Sequence, residues 1–289
     1  MARIDVPSSW ESLRVATMKG VILVVGATDT GKTTLARYLY RRLRDHHKRV
    51  AFVDGDMGQA TLGPPTTVTM AVSEGGDDGF PPDGRRYRAF IGDISPTGHM
   101  LPTVVGAHKL VERARGAGAT AIVVDTTGLV AASQGGGALK LALVDLLRPE
   151  VVIGLQRGSE LEHLLVPLRC SRRTRVIDRE VPQAVERRGP KMRRAHRAAQ
   201  YCRAFEEARP LTMRWVGRAV FPAPSFSQHR LVALEDGEGF VLGLGIVTDY
   251  DPDGGTVTLL TPIASLEDVD AIRVGDVAVH PRTFRDERL

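Results

Sequence analysis

The stretch GATDTGKTT, residues 26–34, follows directly on the apolar run VILVV and decides the fold. It fits the pattern G-x-x-x-x-G-K-[ST], with glycines at Gly26 and Gly31, followed by Lys32 and Thr33. In this pattern, backbone N–H groups close around phosphates, the lysine reaches the β- and γ-phosphates, and the hydroxyl binds Mg²⁺. Because a buried-strand pattern precedes the loop and a helical pattern follows it, the stretch predicts a nucleoside triphosphate site.

Strand and helix patterns alternate on both sides of this loop. Apolar runs predict strands at 21–25, 50–54, 87–93, 121–125 and 151–155, and helical spacing predicts helices at 33–47, 101–118 and 137–149. This alternation predicts an α/β fold, a P-loop NTPase parallel sheet with helices on both faces. Residues 61–86, rich in Gly, Pro and Asp, are expected to form a long exposed loop.

The pattern changes near residue 213. Residues 240–263 predict two strands joined by an Asp-Pro-Asp-Gly-Gly turn, and residues 274–281 predict a third. We therefore expect three parts: an N-terminal segment flanking the nucleotide site, a P-loop domain and a small β-rich C-terminal domain. Their predicted ranges are 1–20, 21–212 and 213–289.

Composition excludes several other classes of protein. The 289 residues are 43% hydrophobic and 25% charged, as in an ordinary globular protein, and no run of 18 apolar residues predicts a membrane span. The N-terminus does not resemble a signal peptide, and the two cysteines have no metal-ligand spacing. These features predict a cytoplasmic location.

Polar side chains follow two of the predicted strands. Asp54 and Asp56, with Gln59 nearby, come at the end of one strand, and Asp125 and Thr126 end another. Ligands of parallel sheets bind at the carboxyl ends of the strands, where carboxylates can hold the water shell of Mg²⁺ or take a proton from a hydroxyl. Ordinary strand-ending turns with solvated aspartates remain the alternative.

Basic residues are concentrated in one part of the chain. Residues 157–218 contain 16 Lys and Arg against 7 Asp and Glu, a net charge of +9, whereas the whole chain carries +5. Within this block, Arg188 and Arg193 lie around a helix predicted to start near Pro190. Such a block predicts either a polyanionic partner and an arginine-rich lid over a phosphoryl group, or a solvated helix face.

Taken together, GATDTGKTT, DGDMGQ, VVDTTGLV and GALKLALVDLLRPEVVIGL resemble the polynucleotide 5′-hydroxyl-kinase family. The resemblance runs from about Trp10 to Phe205, is weaker over the C-terminal β domain, and is closest to short archaeal-type members. It implies ATP and Mg²⁺ as cofactors, with other NTPs open, and 5′-hydroxyl RNA or DNA ends as partners. It also implies that the P-loop domain carries a lid at about 180–206.

The resemblance assigns roles to particular positions. It implies that Lys32, Asp54, Asp56, Thr126, Arg188 and Arg193 carry the catalysis. The implied nucleotide-binding positions are Gly26, Thr28, Asp29, Thr30, Gly31, Lys32, Thr33, Thr34 and Gln59, and the implied metal positions are Thr33, Asp56 and Asp125. Leu129 stands where many eukaryotic members carry a tryptophan that clamps the acceptor.

Three functions follow in order of preference. The first is ATP-dependent transfer of the γ-phosphate to the 5′-hydroxyl of RNA, with DNA as an alternative acceptor. The second is a non-catalytic ATP-binding scaffold of an RNA-processing complex, and the third is an NTPase that uses water. The chain has no asparagine, which excludes the Asn-Lys-x-Asp motif that reads guanine in common GTPases.

Overall fold

The computed structural model describes residues 6–73 and 79–289. Residues 1–5 of the predicted N-terminal segment and 74–78 of the predicted loop lie outside this range. The described residues form two compact units. Those of the first fall within Met1–Asp56, Thr69–Arg86 and Thr103–Arg188, and those of the second fall within Met57–Val68, Tyr87–Pro102 and Gly189–Leu289.

A seven-stranded sheet contains the strands that the N-terminal half predicts. Its strands are β1 (Gly20–Gly26), β2 (Val50–Gly55), β3 (Thr67–Val72), β4 (Arg86–Phe90), β5 (Ala121–Thr126), β6 (Val151–Gln156) and β7 (Arg175–Glu180), in the spatial order β4-β3-β2-β5-β1-β6-β7. The pairs β2–β5, β5–β1, β1–β6 and β6–β7 are parallel. Strand β1 is thus an inner strand, between β5 and β6, and the loop that follows it emerges from the interior of the carboxyl edge. The described residues also contain six α-helices, namely α1 (Ser8–Glu11), α2 (Lys32–Arg44), α3 (Met100–Gly116), α4 (Gly136–Leu147), α5 (Glu162–Ser171) and α6 (Pro190–Ala204).

The prediction of one long exposed loop at 61–86 was wrong. Strand β3 lies inside that range, is almost fully buried and pairs antiparallel with β2, which makes the sheet mixed rather than purely parallel. The Gly- and Pro-rich flanks hid a β-branched run, TVTMAV, whose side chains fit a buried strand.

The second unit is built on a separate seven-stranded sheet. Its strands are β8 (Arg209–Arg214), β9 (Ala219–Phe221), β10 (Arg230–Glu235), β11 (Val241–Asp251), β12 (Thr256–Thr261), β13 (Ala271–Val279) and β14 (Asp286–Arg288). They run in the order β14-β13-β10-β11-β12-β8, and β9 pairs with β13. Strands β11, β12 and β13 confirm the three strands that the sequence predicts.

Helix α6 packs on one face of this second sheet. Its Tyr201 is fully buried, and with Phe205 it joins a cluster that includes Leu231 and Ile246. In the described part of the chain, no helix combines the length and the apolar character needed to cross a membrane.

Candidate active site

The phosphate loop connects β1 to α2. Gly31 has a left-handed backbone with φ of 84°, which glycine adopts without steric cost. A Cβ atom on Gly26 would lie 2.7 Å from both the Leu155 carbonyl oxygen and the Thr30 hydroxyl oxygen, so no side chain fits there. The Thr30 hydroxyl donates a hydrogen bond to the Ala27 carbonyl at 2.9 Å. These contacts hold the loop in a tight form suited to enclosing a phosphate group.

Lys32 begins α2 and its side chain is buried beneath the loop. The Nζ atom donates a hydrogen bond to the Ala27 carbonyl at 2.6 Å. Burial lowers the pKa of Lys32, while the carboxylates of Asp125, Asp56 and Asp29 act in the opposite direction. The amine is therefore held by one backbone oxygen among acidic neighbours, and a phosphate oxygen can take the place of that carbonyl.

Asp125 lies near the end of β5, in register with Asp54 of the neighbouring β2. The Thr33 hydroxyl donates to its Oδ2 atom at 2.6 Å, whereas its Oδ1 atom is buried and accepts no hydrogen bond from the residues that the structure describes. Burial raises the pKa of Asp125 to about 7, the nearby Asp54 carboxylate adds to the rise, and the Thr33 hydrogen bond opposes it. One carboxylate oxygen is thus left for a further partner.

Asp54 and Asp56 lie together at the end of β2. Asp54 is buried and Asp56 is half-buried, and the backbone N–H of Asp56 donates to Asp54 Oδ1 at 3.3 Å. Both carboxylates act on the pKa of Asp125, and Asp56 also acts on that of Lys32. The structure therefore gathers the predicted residues Lys32, Asp54, Asp56 and Asp125 around the phosphate loop.

The turn after β5 packs directly against the phosphate loop. A Cβ atom on Gly128 would lie 2.3 Å from Thr28 Oγ1 and 2.8 Å from Thr28 Cα, so only glycine allows this approach. The Thr126 hydroxyl donates to the Val24 carbonyl at 2.8 Å, inside the sheet. In this structure Thr126 makes a backbone contact, and its role toward the substrate stays a prediction.

Asp29 connects the phosphate loop to two more distant segments of the same unit. Its backbone has a positive φ of 57°, and its carbonyl accepts a hydrogen bond from the Arg157 guanidinium. Its Oδ2 atom accepts a hydrogen bond from the backbone N–H of Arg188 at 3.2 Å. The acid in the loop thus has a physical purpose, since it fixes the chain beside the predicted catalytic Arg188.

Lys140 was not predicted as a functional residue. It lies in α4, is fully buried, and its Nζ atom donates to the Thr127 carbonyl at 2.7 Å and to the Thr127 hydroxyl at 3.2 Å. Burial lowers its pKa to about 7, and the positive charge of Lys32 contributes to the lowering. The signal in the sequence was a single lysine inside the apolar helical run GALKLALVDLL.

The remaining predicted site residues are divided between the two units. Thr28 and Thr34 are exposed in the first unit, as is Arg188. Gln59 and Arg193 belong to the second unit, where Gln59 donates to the Gly58 carbonyl.

Trp10 lies in α1, within the N-terminal segment that the sequence predicts to flank the nucleotide site. Its ring is buried, with the ring centroid 5.9 Å from that of Tyr38. Packing within the first unit therefore accounts for its position.

Comparisons with known proteins give relatives over most of the chain. The chain is 25% identical to a polyribonucleotide 5′-hydroxyl-kinase of Pyrococcus furiosus over 95% of its length and 93% of that protein. It is 27% identical to a polyribonucleotide 5′-hydroxyl-kinase of Thermococcus kodakarensis over 89% of this chain and 88% of that protein, and 24% identical to one of Methanocaldococcus jannaschii over 89% and 86%.

Solved structures of Clp1p in complex with Pcf11p have the same fold. One superposes with a TM-score of 0.68 at 13% identity, covering 93% of this chain and 77% of that chain. A second gives a TM-score of 0.67, also at 13% identity, and covers 93% of this chain and 78% of that chain.

A family model described as "mRNA cleavage and polyadenylation factor CLP1 P-loop" matches residues 26–207, which is more than half of the chain. The chain belongs to this CLP1 P-loop family of nucleotide-binding proteins.

Proposed function

We propose that this protein is an ATP-dependent polynucleotide 5′-hydroxyl kinase that phosphorylates RNA ends. One observation supports this most directly: a buried phosphate-loop lysine, a threonine–aspartate pair and two further carboxylates meet at one edge of the sheet. Phosphoryl transfer needs positioning and charge neutralisation more than covalent chemistry, and this set provides both. The names of the archaeal relatives support a polyribonucleotide as the acceptor.

The residues beside the loop fit Mg²⁺. Thr33 offers a hydroxyl and Asp125 a carboxylate whose Oδ1 atom has no donor among the described residues, and oxygen ligands are those that Mg²⁺ prefers. When bound, Mg²⁺ supplies positive charge to the β- and γ-phosphates. We propose Thr33, Asp56 and Asp125 as the residues that hold the ion directly or through water.

We assign the chemical roles as follows. Lys32 exchanges its Ala27 partner for a phosphate oxygen and shares the charge that develops on the transferred group. Asp56, supported by Asp54, accepts the proton of the attacking 5′-hydroxyl. The guanidinium groups of Arg188 and Arg193 neutralise the remaining phosphate charge, as paired nitrogen donors do.

Transfer of labelled γ-phosphate tests this proposal. We expect the protein to label a 5′-hydroxyl RNA oligonucleotide from ATP, and Lys32→Ala to lower the rate by at least about a hundredfold, because an electrostatic contact to the transition state is worth roughly that much. Lys48→Ala, which removes an exposed lysine, is the matched control. Wild-type rates in Lys32→Ala would overturn the proposal.

The same assay separates the alternatives. Release of labelled phosphate at an equal rate with and without an oligonucleotide would indicate an NTPase that uses water. Nucleotide that copurifies and never turns over would indicate a scaffold. Matched RNA and DNA oligonucleotides, each tested with every NTP, establish the acceptor and the base preference.

A further inference from the structure

A basic surface lies on the second unit, on residues to which no role has been assigned above. One side of α6 and the end of the chain border a cleft of about 1050 Å³. Basic side chains dominate it, namely Lys191, Arg194, Arg197, Arg285 and Arg288, against two acidic ones, Asp286 and Glu287. We call this the α6 cleft.

The basic residues of the α6 cleft fall into two groups. Arg197 and Arg288 are neutralised, because Arg197 pairs with the buried Asp286 at 2.8 Å and Arg288 pairs with the buried Asp93. These ion pairs attach α6 and β14 firmly to the unit. Arg197 and Arg288 therefore contribute little to the net charge of the cleft.

The second group has no acidic partner. Lys191, Arg194 and Arg285 are exposed, and no carboxylate in the described part of the chain pairs with any of them. Glu287 is the one acidic group of the cleft outside the Arg197 pair, so the surface keeps a net positive charge. Three cations around one cleft favour an anion with several charges in a row.

The opposite side of α6 is used for packing. His196 Nε2 lies 2.9 Å from the Ala60 carbonyl oxygen, and Gln200 Nε2 donates to the same oxygen at 2.8 Å. These contacts fix the orientation of α6 about its axis. The side that carries Lys191 and Arg194 therefore faces the cleft.

The lining also indicates which part of a polyanion is bound. Its apolar members are Ile94, Ala195 and Ala198, and no aromatic side chain is among the described residues that line it. Bases of single strands are usually held by stacking on aromatic rings, whereas phosphates are held by Lys and Arg alone. The volume of the cleft, about 1050 Å³, lies at the upper limit of small-molecule pockets, which is about 1,000 Å³.

We propose that the α6 cleft binds the sugar–phosphate backbone of the single-stranded RNA acceptor, independently of base sequence, through Lys191, Arg194 and Arg285. This inference rests on the proposed function for the identity of the strand. The cleft would make a longer RNA a better acceptor than a dinucleotide, whatever its sequence.

Fluorescence anisotropy of the full chain tests the cleft without any catalysis. The probe is a labelled 20-nucleotide RNA that already carries a 5′-phosphate and so cannot accept another. We expect K191A/R194A/R285A to bind it at least about tenfold more weakly at low salt, and the slope of log affinity against log salt to fall by about 2, since each phosphate contact on a single strand contributes about 0.7.

Two further variants test whether the loss of RNA affinity is specific to the cleft or follows from any loss of positive charge. K48A/R203A/R214A removes the same number and kinds of charge from exposed positions outside the cleft and should bind like wild type. R194K/R285K keeps the charge and should retain most of the affinity. Equal losses in the cleft variant and in this first control would overturn the proposal.

Two further measurements distinguish a failure of the cleft proposal from a failure of the proposed function. In the transfer assay, K191A/R194A/R285A should lose the advantage of a 20-mer over a dinucleotide as acceptor. If no form of the protein transfers phosphate but the binding difference persists, the kinase proposal fails and the cleft stands. If poly-glutamate displaces the RNA as well as unlabelled RNA does, the cleft binds an acidic protein segment and the RNA assignment is wrong.

Discussion

Single residues determine how closely the two motif loops approach each other. Thr28 in the phosphate loop and Gly128 in the turn after β5 are in such close contact that a Cβ atom on the glycine would overlap the threonine. Asp29 holds the next part of the loop through Arg157 and Arg188. The loop is therefore positioned from two directions, which is the preorganisation that phosphoryl transfer requires.

Gly128→Ala tests the first of these contacts. The added methyl group must displace Thr28, and we expect transfer activity to fall by about tenfold or more, because small displacements of catalytic groups cost large factors in rate. Gly116→Ala is the matched control, since nothing lies within 4 Å of a Cβ atom at that position. Steady-state rates with saturating ATP check the prediction, and equal rates for the two variants would contradict it.

Residue types at the site were predictable because motif and context agreed. Lys32, Asp54, Asp56 and Asp125 lie together because parallel strands end at one edge, which the strand patterns already implied. Lys140 could not be assigned in this way, since its effect depends on which carbonyl its amine meets across the fold. A lysine in an apolar helix signals a buried contact without identifying the partner.

At the scale of elements, α4 supports the turn that carries Thr126 and Gly128. Lys140 is the single buried amine that reaches this turn from the helix, and it satisfies the Thr127 carbonyl and hydroxyl together. We describe Lys140 as a positioning residue, because it acts on the substrate site through the turn.

Lys140→Met is expected to change the pH dependence of stability. Because burial lowers the pKa of Lys140 from 10.5 to about 7, the unfolded chain binds this proton between those values and the folded chain does not. The free energy of unfolding of the wild type should therefore rise with pH across that range, relative to the variant, by up to about 1.4 kcal/mol per pH unit. Urea unfolding at pH 7, 8.5 and 9.5 measures this difference.

The control and a second readout complete this test. Lys48→Met replaces an exposed lysine and should show no such slope. Turnover of Lys140→Met should fall by about 10- to 100-fold through misplacement of the turn. A stability difference that does not change with pH would show that the amine stays charged at every pH tested.

The elements of the P-loop half were largely predictable, and those of the C-terminal half only partly. Strands β1, β2, β5 and β6 are short apolar runs between glycines, helices and polar turns, and local pattern identifies them. The sequence pattern did not predict strand β3, because Gly, Pro and Asp on both sides of it favour a loop. Its pairing with β2 is what makes this segment a strand. Long-range pairing of this kind has no local signature.

At the scale of the whole molecule, the chain divides into two units that are each assembled from distant segments. Residues 57–68 and 87–102 belong with Gly189–Leu289, although both segments interrupt the P-loop half in sequence. Composition and local pattern carry no information on such membership, because it follows from contacts between distant residues. The described phosphate-loop residues and their acidic neighbours all belong to the first unit.

The two tryptophans allow each unit to be followed separately. Trp10 is buried in the first unit and Trp215 is partly buried in the second. Trp215→Phe therefore leaves a reporter for the first unit, and Trp10→Phe leaves one for the second. A non-hydrolysable ATP analogue with Mg²⁺ at about 100 times its Kd should stabilise the first unit by about 2.7 kcal/mol, which raises its Tm by several degrees. The unfolding transition that Trp10 fluorescence reports should therefore shift to higher temperature, and Lys32→Ala should abolish the shift. The Trp215 signal should follow only to the extent that the two units unfold together. A shift of Trp215 without a shift of Trp10 would place the nucleotide in the second unit and contradict the site described above.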